Sequence, residues 1–503
     1  MSATLHRLFE AHARSRAATP FILSRHSALT YGDVSDRVAS VQASLRTRGI
    51  EPGDHVALCL DRKADFVVGL LAVLGIGAVA VPIDTRDGDG QAWLLRHSEV
   101  RLVLHDDALV PGTAERAGVP GQAFLAAPES ADANGRTMAA VDCNESTPAA
   151  ILYTSGTQNQ RKGVILSHAN LVAPARYMNS FMGVDSSIVE YVSSPLEHAF
   201  GFGRLRCVIV AGGGMVFDDG SFNAARLLAS MRSVAVNALS GVAASVALLV
   251  ERALAELAPF SHRLRWMEIG SQSLQRDHKI ALAKLFPKAC LVQNYGMTEA
   301  VRCTMVDFGH DPERLVTCGR ASPGTGIRIR GENGEPAPVG QSGVIEVRGP
   351  QVALGYWRAQ PLWDARLSQG WFESDDVGFL DVDGYLHYVS RRDDLINLGG
   401  EKISPLDLEN AFRSALEGVE FAVCGIDDPE RLRGEVPILC LKRAPEAIAD
   451  WSELRRRLIG CVANRFLPRA AYLVDPLPRT ALGKIQRRKL RHLVEAGQVR
   501  LWS

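Results

Sequence analysis

No excess of charge of either sign marks this sequence. Lys plus Arg and Asp plus Glu each total 56, which argues against nucleic acid or an anionic membrane surface as the main partner. No two cysteines are spaced C-x-x-C. The nine, at positions 59, 143, 207, 290, 303, 318, 424, 440 and 461, read as buried apolar side chains in a reducing compartment, not as a metal or disulfide framework. No long apolar segment follows the basic residues near the N-terminus, so no secretory signal is expected. Leu501, Trp502 and Ser503 are not a peroxisomal tripeptide, and a cytoplasmic location is the expectation. Residues 66–83 carry no charge over a length that could cross a bilayer. Gly69, Gly75, Gly77 and Pro82 interrupt that run, so a buried helix passing into a buried strand is expected and no membrane span. Gly75-Ile76-Gly77 mimics a dinucleotide fingerprint, but the fingerprint needs a strand before it and a helix after it, and here the order is reversed.

At 503 residues the chain exceeds one ordinary core, so at least two domains are expected. Its first 150 residues alternate between helical spacing (31–48, 66–76) and strand-like runs (55–60, 79–83, 101–105). Such alternation implies parallel sheets with helices packed on them. Short strands separated by turn residues over 324–356 predict a small β subdomain. The last hundred or so residues read as a small α+β unit, with helices over 406–416 and 451–464 and strands over 421–426, 437–442 and 471–474.

The most informative stretch runs from Ile151 to Leu171. An apolar strand gives way to Thr154, Ser155, Gly156 and Thr157, then to Lys162 and Gly163. A second apolar strand follows, with Ser167 as N-cap of a helix. Small residues turn backbone N–H groups inward, hydroxyls add donors, and a lysine supplies a mobile cation, a combination suited to phosphate. Because the lysine precedes glycine, this is not the common P-loop.

This stretch resembles the phosphate loop of the adenylate-forming superfamily, which includes acyl-CoA synthetases, aryl-acid ligases and nonribosomal peptide adenylation domains. That family usually writes TSGTTGxPKG here. The chain keeps six of those residues and puts Asn159 and Arg161 where glycine and proline are usual. Further stretches resemble the family in its own order. His198 to Gly203, with Phe202, stand where the family walls its acid pocket, while Arg204 and Arg206 beside them are expected to face water. Gly270, Ser271 and Gln272 follow loosely where a turn packs on adenine. Asn294-Tyr295-Gly296-Met297-Thr298-Glu299 matches YGxTE, in which a ring can stack on a purine, an amide can read its edge, and a hard carboxylate suits Mg²⁺. Asp376 falls on the ribose-binding aspartate, with Asp375 replacing a glycine beside it, so two carboxylates are adjacent and repulsion is expected. Arg391 matches the ribose and phosphate arginine, Asp393 the hinge, Gly399 and Gly400 the loop that lines the thiol tunnel, and Lys484 the adenylation lysine of LPRTxxGKI.

The resemblance implies an α/β fold: a large N-terminal domain, 1–392, of parallel sheets flanked by helices plus a small β subdomain, and a mobile α+β lid, 393–503. It implies ATP-dependent activation of a carboxylic acid to an acyl-adenylate with release of pyrophosphate, then transfer to a thiol. ATP would be held by Thr154, Ser155, Gly156, Thr157, Lys162, Ser271, Gln272, Asn294, Tyr295, Asp376 and Arg391. Lys484, Thr298 and Glu299 would be catalytic, with Mg²⁺ at Glu299. The acid would meet His198, Phe202, Gly241, Gly270, Gly296 and Met297, and the walls around His198–Gly203, Gly241, Gly270–Gln272 and Met297–Arg302 read as small or apolar with few charges. CoA is the expected acceptor, with the phosphopantetheine of a separate carrier protein as the alternative. A non-catalytic nucleotide- or acyl-binding relative is the competing reading. A small carboxylic acid is the expected partner, and a monomer or homodimer the expected state.

Overall fold

A computed structural model of the chain describes residues 4–85, 88–106, 109–123, 143–154, 161–217, 222–399, 401–430, 434–446, 448–480 and 483–502. The fold divides into two compact units. One comprises residues 1–326 and 347–372, the other 327–346 and 373–503.

The larger unit holds two mixed sheets. In the first, the strands run in the order Arg320–Ala321, Ala300–Asp307, Cys290–Met297, Trp266–Gly270, Ala238–Val242, Val189–Val192, Gly214–Phe217, Pro20–Leu23, Ala28–Thr30. The middle six are mutually parallel and the edges antiparallel. In the second the order is Gly355–Tyr356, Gly163–Ser167, Pro148–Tyr153, Val79–Pro82, His55–Cys59, Leu102–His105, Gly121–Ala123. This is the expected parallel α/β architecture, and it follows from strands that are apolar on both faces and so need helices on both sides.

The uncharged run at 66–83 folds as anticipated. Helix Lys63–Gly75 is buried at every residue from Asp65 to Gly75, and the chain then enters the buried strand Val79–Pro82. Among the described residues no helix is long and apolar enough to cross a membrane.

Strands Pro148–Tyr153 and Gly163–Ser167 pair antiparallel, and Ser167 caps helix His168–Met182 through a reciprocal capping box with Asn170. That helix starts at a buried histidine. His168 and His6, on helix Leu5–Ser15, pack edge to face with centroids 6.0 Å apart, and neither ring nitrogen of His6 has a hydrogen-bond partner among the described residues. Burial, reinforced by His168 and Arg7, lowers His6 to about 3, and burial lowers His168 to about 4.

In the smaller unit, strands Phe421–Asp427, Glu435–Leu441, Ala471–Leu473 and Arg500–Trp502 form a four-stranded sheet. One face buries Val423, Leu439 and Leu441 with Leu408 and Phe412 of helix Pro405–Phe412. The other buries Ala422, Cys424 and Ile438 with Leu490 and Val494 of helix Arg487–Glu495. The helix expected over 451–464 is shorter, Trp451–Leu458. Ile459 is extended and Gly460 has φ +95°, a left-handed conformation that ends a helix.

The His6–His168 pair gives a pH prediction. Above about pH 6.5 both rings are neutral in folded and unfolded chains. As the pH falls below that value the unfolded chain takes up two protons that the folded chain refuses, so stability drops by ~1.4 kcal/mol per pH unit for each ring. Thermal melts from pH 7.5 to 5 should show this decline, and His6→Met should remove about half of it; an unchanged slope in the variant would exclude His6 as a source.

Candidate active site

Within the larger unit, three of the sequence-derived regions converge. The loop after strand Pro148–Tyr153 is closed at its base, where Thr154 N donates to Lys162 O at 3.0 Å and Lys162 N donates to the Thr154 hydroxyl oxygen at 3.2 Å. Ser155, Gly156, Thr157 and Asn159 lie outside the described residues. Lys162 Nζ sits 5.1 Å from the centroid of the Tyr356 ring, and Tyr356 Oη donates to Glu299 Oε1 at 2.7 Å. A single tyrosine thus joins the loop lysine to the carboxylate of the Thr-Glu pair. Sequence reasoning overlooked Tyr356, which looked like one more residue at the end of a short strand.

Thr298 and Glu299 form the tip of a hairpin, because Met297 pairs with Ala300 across strands Cys290–Met297 and Ala300–Asp307. Glu299 is half-buried, and a carboxylate that accepts one bond from a phenol keeps lone pairs for a hard cation. Glu299 is thus a hard oxygen ligand of the kind Mg²⁺ takes. Tyr295 is 7% exposed. Ser271 adopts φ +74° and its buried hydroxyl has no hydrogen-bond partner among the described residues. A non-glycine residue held there costs about 1–3 kcal/mol, and such strain is concentrated at binding sites. Gln272 N donates to Gly270 O at 2.9 Å, closing the same turn.

The acid-pocket stretch departs most from expectation. Helix Ala199–Ala211 starts at His198, whose Nε2 lies 3.2 Å from Asp84 Oδ2. Neighbouring Glu197 faces Lys63 at 3.9 Å. Phe202 is fully buried in the core. Arg204 and Arg206, expected to face water, are 0% and 1% exposed. Arg204 grips Glu190 with two bonds of 2.8 Å and Glu268 with one of 2.6 Å, and lies over the Trp266 ring. Burying a guanidinium is tolerable only with such pairing. Both carboxylates come from strands of the nine-stranded sheet, so nothing near Arg204 in sequence announces them.

Glu268 has further partners. Asn294 Nδ2 donates to its Oε1 at 2.5 Å, and Arg302 Nε lies 3.3 Å from the same oxygen. The Asn294 amide, expected to read a purine edge, is therefore engaged with a buried carboxylate. Arg302 stacks over Phe200, 5.3 Å from its centroid, and donates from Nη2 to Phe200 O at 3.2 Å. The stretches assigned to the acid walls thus carry a buried guanidinium, Arg302. Gly203 and Gly270 are required there: a Cβ at Gly203 would meet Arg302 Nη1 at 2.1 Å, and one at Gly270 would meet the Phe200 ring at 2.2 Å. Added Cβ atoms would also crowd Gly241 against Ser193 and Gly296 against the Arg302 backbone. Met297 packs against the main core.

The smaller unit collects the remaining residues. Asp376 and Arg391 are paired across strands Trp371–Leu380 and Leu386–Arg391. Arg391 Nη2 donates to Asp375 Oδ2 at 3.1 Å and Nε lies 3.8 Å from Asp376 Oδ1. The arginine sits against both carboxylates, which offsets the repulsion expected of adjacent aspartates. Lys484, an exposed residue, is within electrostatic range of Asp376 and Arg391. It is carried on a tight turn in which Thr480 N donates to Lys484 O at 2.8 Å and Arg479 Nη1 donates to Gly483 O at 2.6 Å. Asp393 is paired with Arg488. Gly399, at φ +62°, follows strand Ile396–Leu398, which pairs with Glu401–Ile403; Gly400 lies outside the described residues.

The sequence profile of the AMP-binding enzyme family matches residues 9–357. Feruloyl-CoA synthase of an Amycolatopsis species is 32% identical over 492 residues, covering 95% of this chain and 97% of that protein. The 2-succinylbenzoate–CoA ligase of Bacillus licheniformis is 28% identical over 474 residues, covering 92% and 94%. The crystal structure of ATP-bound MatB from Rhodopseudomonas palustris superposes with a TM-score of 0.85 at 27% identity, covering 98% of this chain and 99% of that one. This chain belongs to the AMP-binding enzyme family and is an AMP-forming acid–thiol ligase.

Proposed function

We propose that the chain uses ATP and Mg²⁺ to convert a small carboxylic acid into its acyl-adenylate and then passes the acyl group to CoA. The observation that carries this reading is the Lys162–Tyr356–Glu299 assembly, in which a phosphate-loop cation and a hard carboxylate meet on one tyrosine. The acceptor is assigned as CoA because the relatives named above are CoA enzymes, and ATP is the nucleotide found on MatB.

In the first half-reaction a carboxylate oxygen of the acid attacks the α-phosphorus of ATP. The bond from that phosphorus to the bridging oxygen breaks, and pyrophosphate leaves. Negative charge grows on the α-phosphoryl oxygens and on the leaving group, so cations and donors aimed at those positions lower the barrier. Lys162, with Thr154 and the loop that follows it, holds the β and γ phosphates. Thr298 donates to the α-phosphate. Glu299 would hold Mg²⁺, which would supply a Lewis acid that offsets phosphate charge. Asp376 accepts from the ribose hydroxyls, with Arg391 fixing it in place. Lys484 brings the acid carboxylate and the α-phosphate together by standing between two anions that repel.

In the second half-reaction the CoA sulfur attacks the acyl carbon, the bond to AMP breaks, and AMP leaves. Residues 393–503 turn about Asp393 between the two steps, and the loop at Gly399 and Gly400 then lines the path of the thiol. A few residues at such a hinge must absorb the change in φ and ψ.

Two outcomes test this sequence of events. Lys484→Ala should lower acid-dependent ATP–pyrophosphate exchange by about 10²–10³ while still forming thioester from pre-made acyl-adenylate; equal loss of both would overturn the division of labour. Asp393→Pro, which fixes φ at the hinge, should leave pyrophosphate release within a few-fold of normal and depress thioester formation. Loss of pyrophosphate release instead would remove Asp393 from the hinge role.

A further inference from the structure

The buried charges beside helix Ala199–Ala211 do not balance. Arg204, Arg206 and Arg302 are 0%, 1% and 5% exposed, and Glu190 and Glu268 are both 0% exposed. Among the described residues, the carboxylates that meet these guanidiniums are those two alone. Glu190 is occupied by Arg204 through both oxygens, and Glu268 is divided among Arg204, Arg302 and Asn294. Arg206 has no carboxylate and donates to Asn170 O at 2.9 Å. Burial, with the charge of Arg302 adding to it, pushes Arg206 down to about 9. Three cations face two anions in a site from which water is excluded, and an uncompensated buried charge is strongly unfavourable.

The surplus charge is also aimed. Arg302 has φ +52°, beside a register shift between Tyr295 and Met297 in the pairing of its strand, and a bulge of this kind redirects a side chain. Its guanidinium is thereby laid on Phe200 and against the open face of Gly203, the stretch assigned to the acid pocket. Its Nε is buried and makes no hydrogen bond among the described residues, despite lying 3.3 Å from Glu268 Oε1.

We propose that Arg302 is a subsite for a second anionic group, so that the substrate class is carboxylic acids carrying another carboxylate or a sulfonate at the end remote from the reacting one. This rests on the adenylation reading above. The reacting carboxylate must lie at the α-phosphate, which Thr298 and Lys484 serve, whereas Arg302 is committed to the Phe200–Gly203 face. A guanidinium suits the task because its planar fork can keep Glu268 on one edge and accept a carboxylate on another.

The test measures pyrophosphate release for matched acids: succinate against butyrate, glutarate against pentanoate, and terephthalate against 4-methylbenzoate. The wild-type chain should prefer the member of each pair with two acidic groups. Arg302→Met should reduce kcat/KM for that member by roughly ten- to a hundredfold more than for its monoacid partner. Arg302→Lys should retain part of the preference. In a parallel measurement on the wild-type chain, which does not depend on any variant folding, the preferred diacid should raise Tm more than its monoacid partner. Equal loss for both members in Arg302→Met, or no preference in the wild-type chain by either measurement, would overturn the subsite. Absence of pyrophosphate release from the wild-type chain with every acid would instead count against the adenylation reading itself.

Discussion

Bringing a carboxylate against a triphosphate is the constraint that the distribution of charge in this chain answers. Two unit charges 4 Å apart repel by about 4 kcal/mol at the effective dielectric of a protein surface, and the reaction needs them closer than that. Under the proposed mechanism the cations would come from separate parts of the sequence: Lys162 at the base of the loop, Arg391 on a strand, and Lys484 on a turn held by Arg479 and Thr480. Each stands near a carboxylate or a ring. Lys162 lies over Tyr356, Arg391 against Asp375 and Asp376, and Lys484 within reach of Asp376. Cations held in advance do not have to be reorganised at the moment of reaction, which is the main source of electrostatic catalysis.

Glu268 gathers the buried polar groups of the stretch assigned to the acid. It sits on a central strand of the nine-stranded sheet and binds Arg204 from the helix, Arg302 from the hairpin and Asn294 from the nucleotide motif. The wall assigned to the acid and the segment assigned to the adenine are therefore tied to one carboxylate. A shift of any of the three partners would leave a buried charge or amide unpaired, at a cost of several kcal/mol. The tight fits at Gly203 and Gly270 make the same region intolerant of added volume.

Much of this was legible in the sequence, and the parts that were not share a cause. Local patterns carried the architecture: the run from Asp65 to Gly75 is too uniformly apolar to be anything but buried, Ser167 followed by Asn170 is a helix start, and Thr154 to Lys162 joins two strands. Buried arginines are another matter. Arg204 and Arg206 resemble a solvated pair until Glu190 and Glu268 are placed beside Arg204, and the latter is 64 residues away. Tyr356 was invisible for the same reason, since its partner Glu299 is 57 residues distant. Helix Trp451–Leu458 was overextended because Gly460 ends it through a backbone conformation, not through a break in hydrophobic spacing. Long-range pairing and backbone handedness leave little trace in periodicity.

The central claim is that an oxygen of the organic acid becomes bonded to the α-phosphorus of ATP. It can be followed with an acid labelled with ¹⁸O in its carboxylate, turned over in the presence of ATP, Mg²⁺ and CoA, with the products analysed by mass spectrometry. The account predicts one ¹⁸O atom in each AMP released and none in pyrophosphate. Label in inorganic phosphate with ADP as the nucleotide product, or unlabelled AMP formed in proportion to thioester, would contradict it.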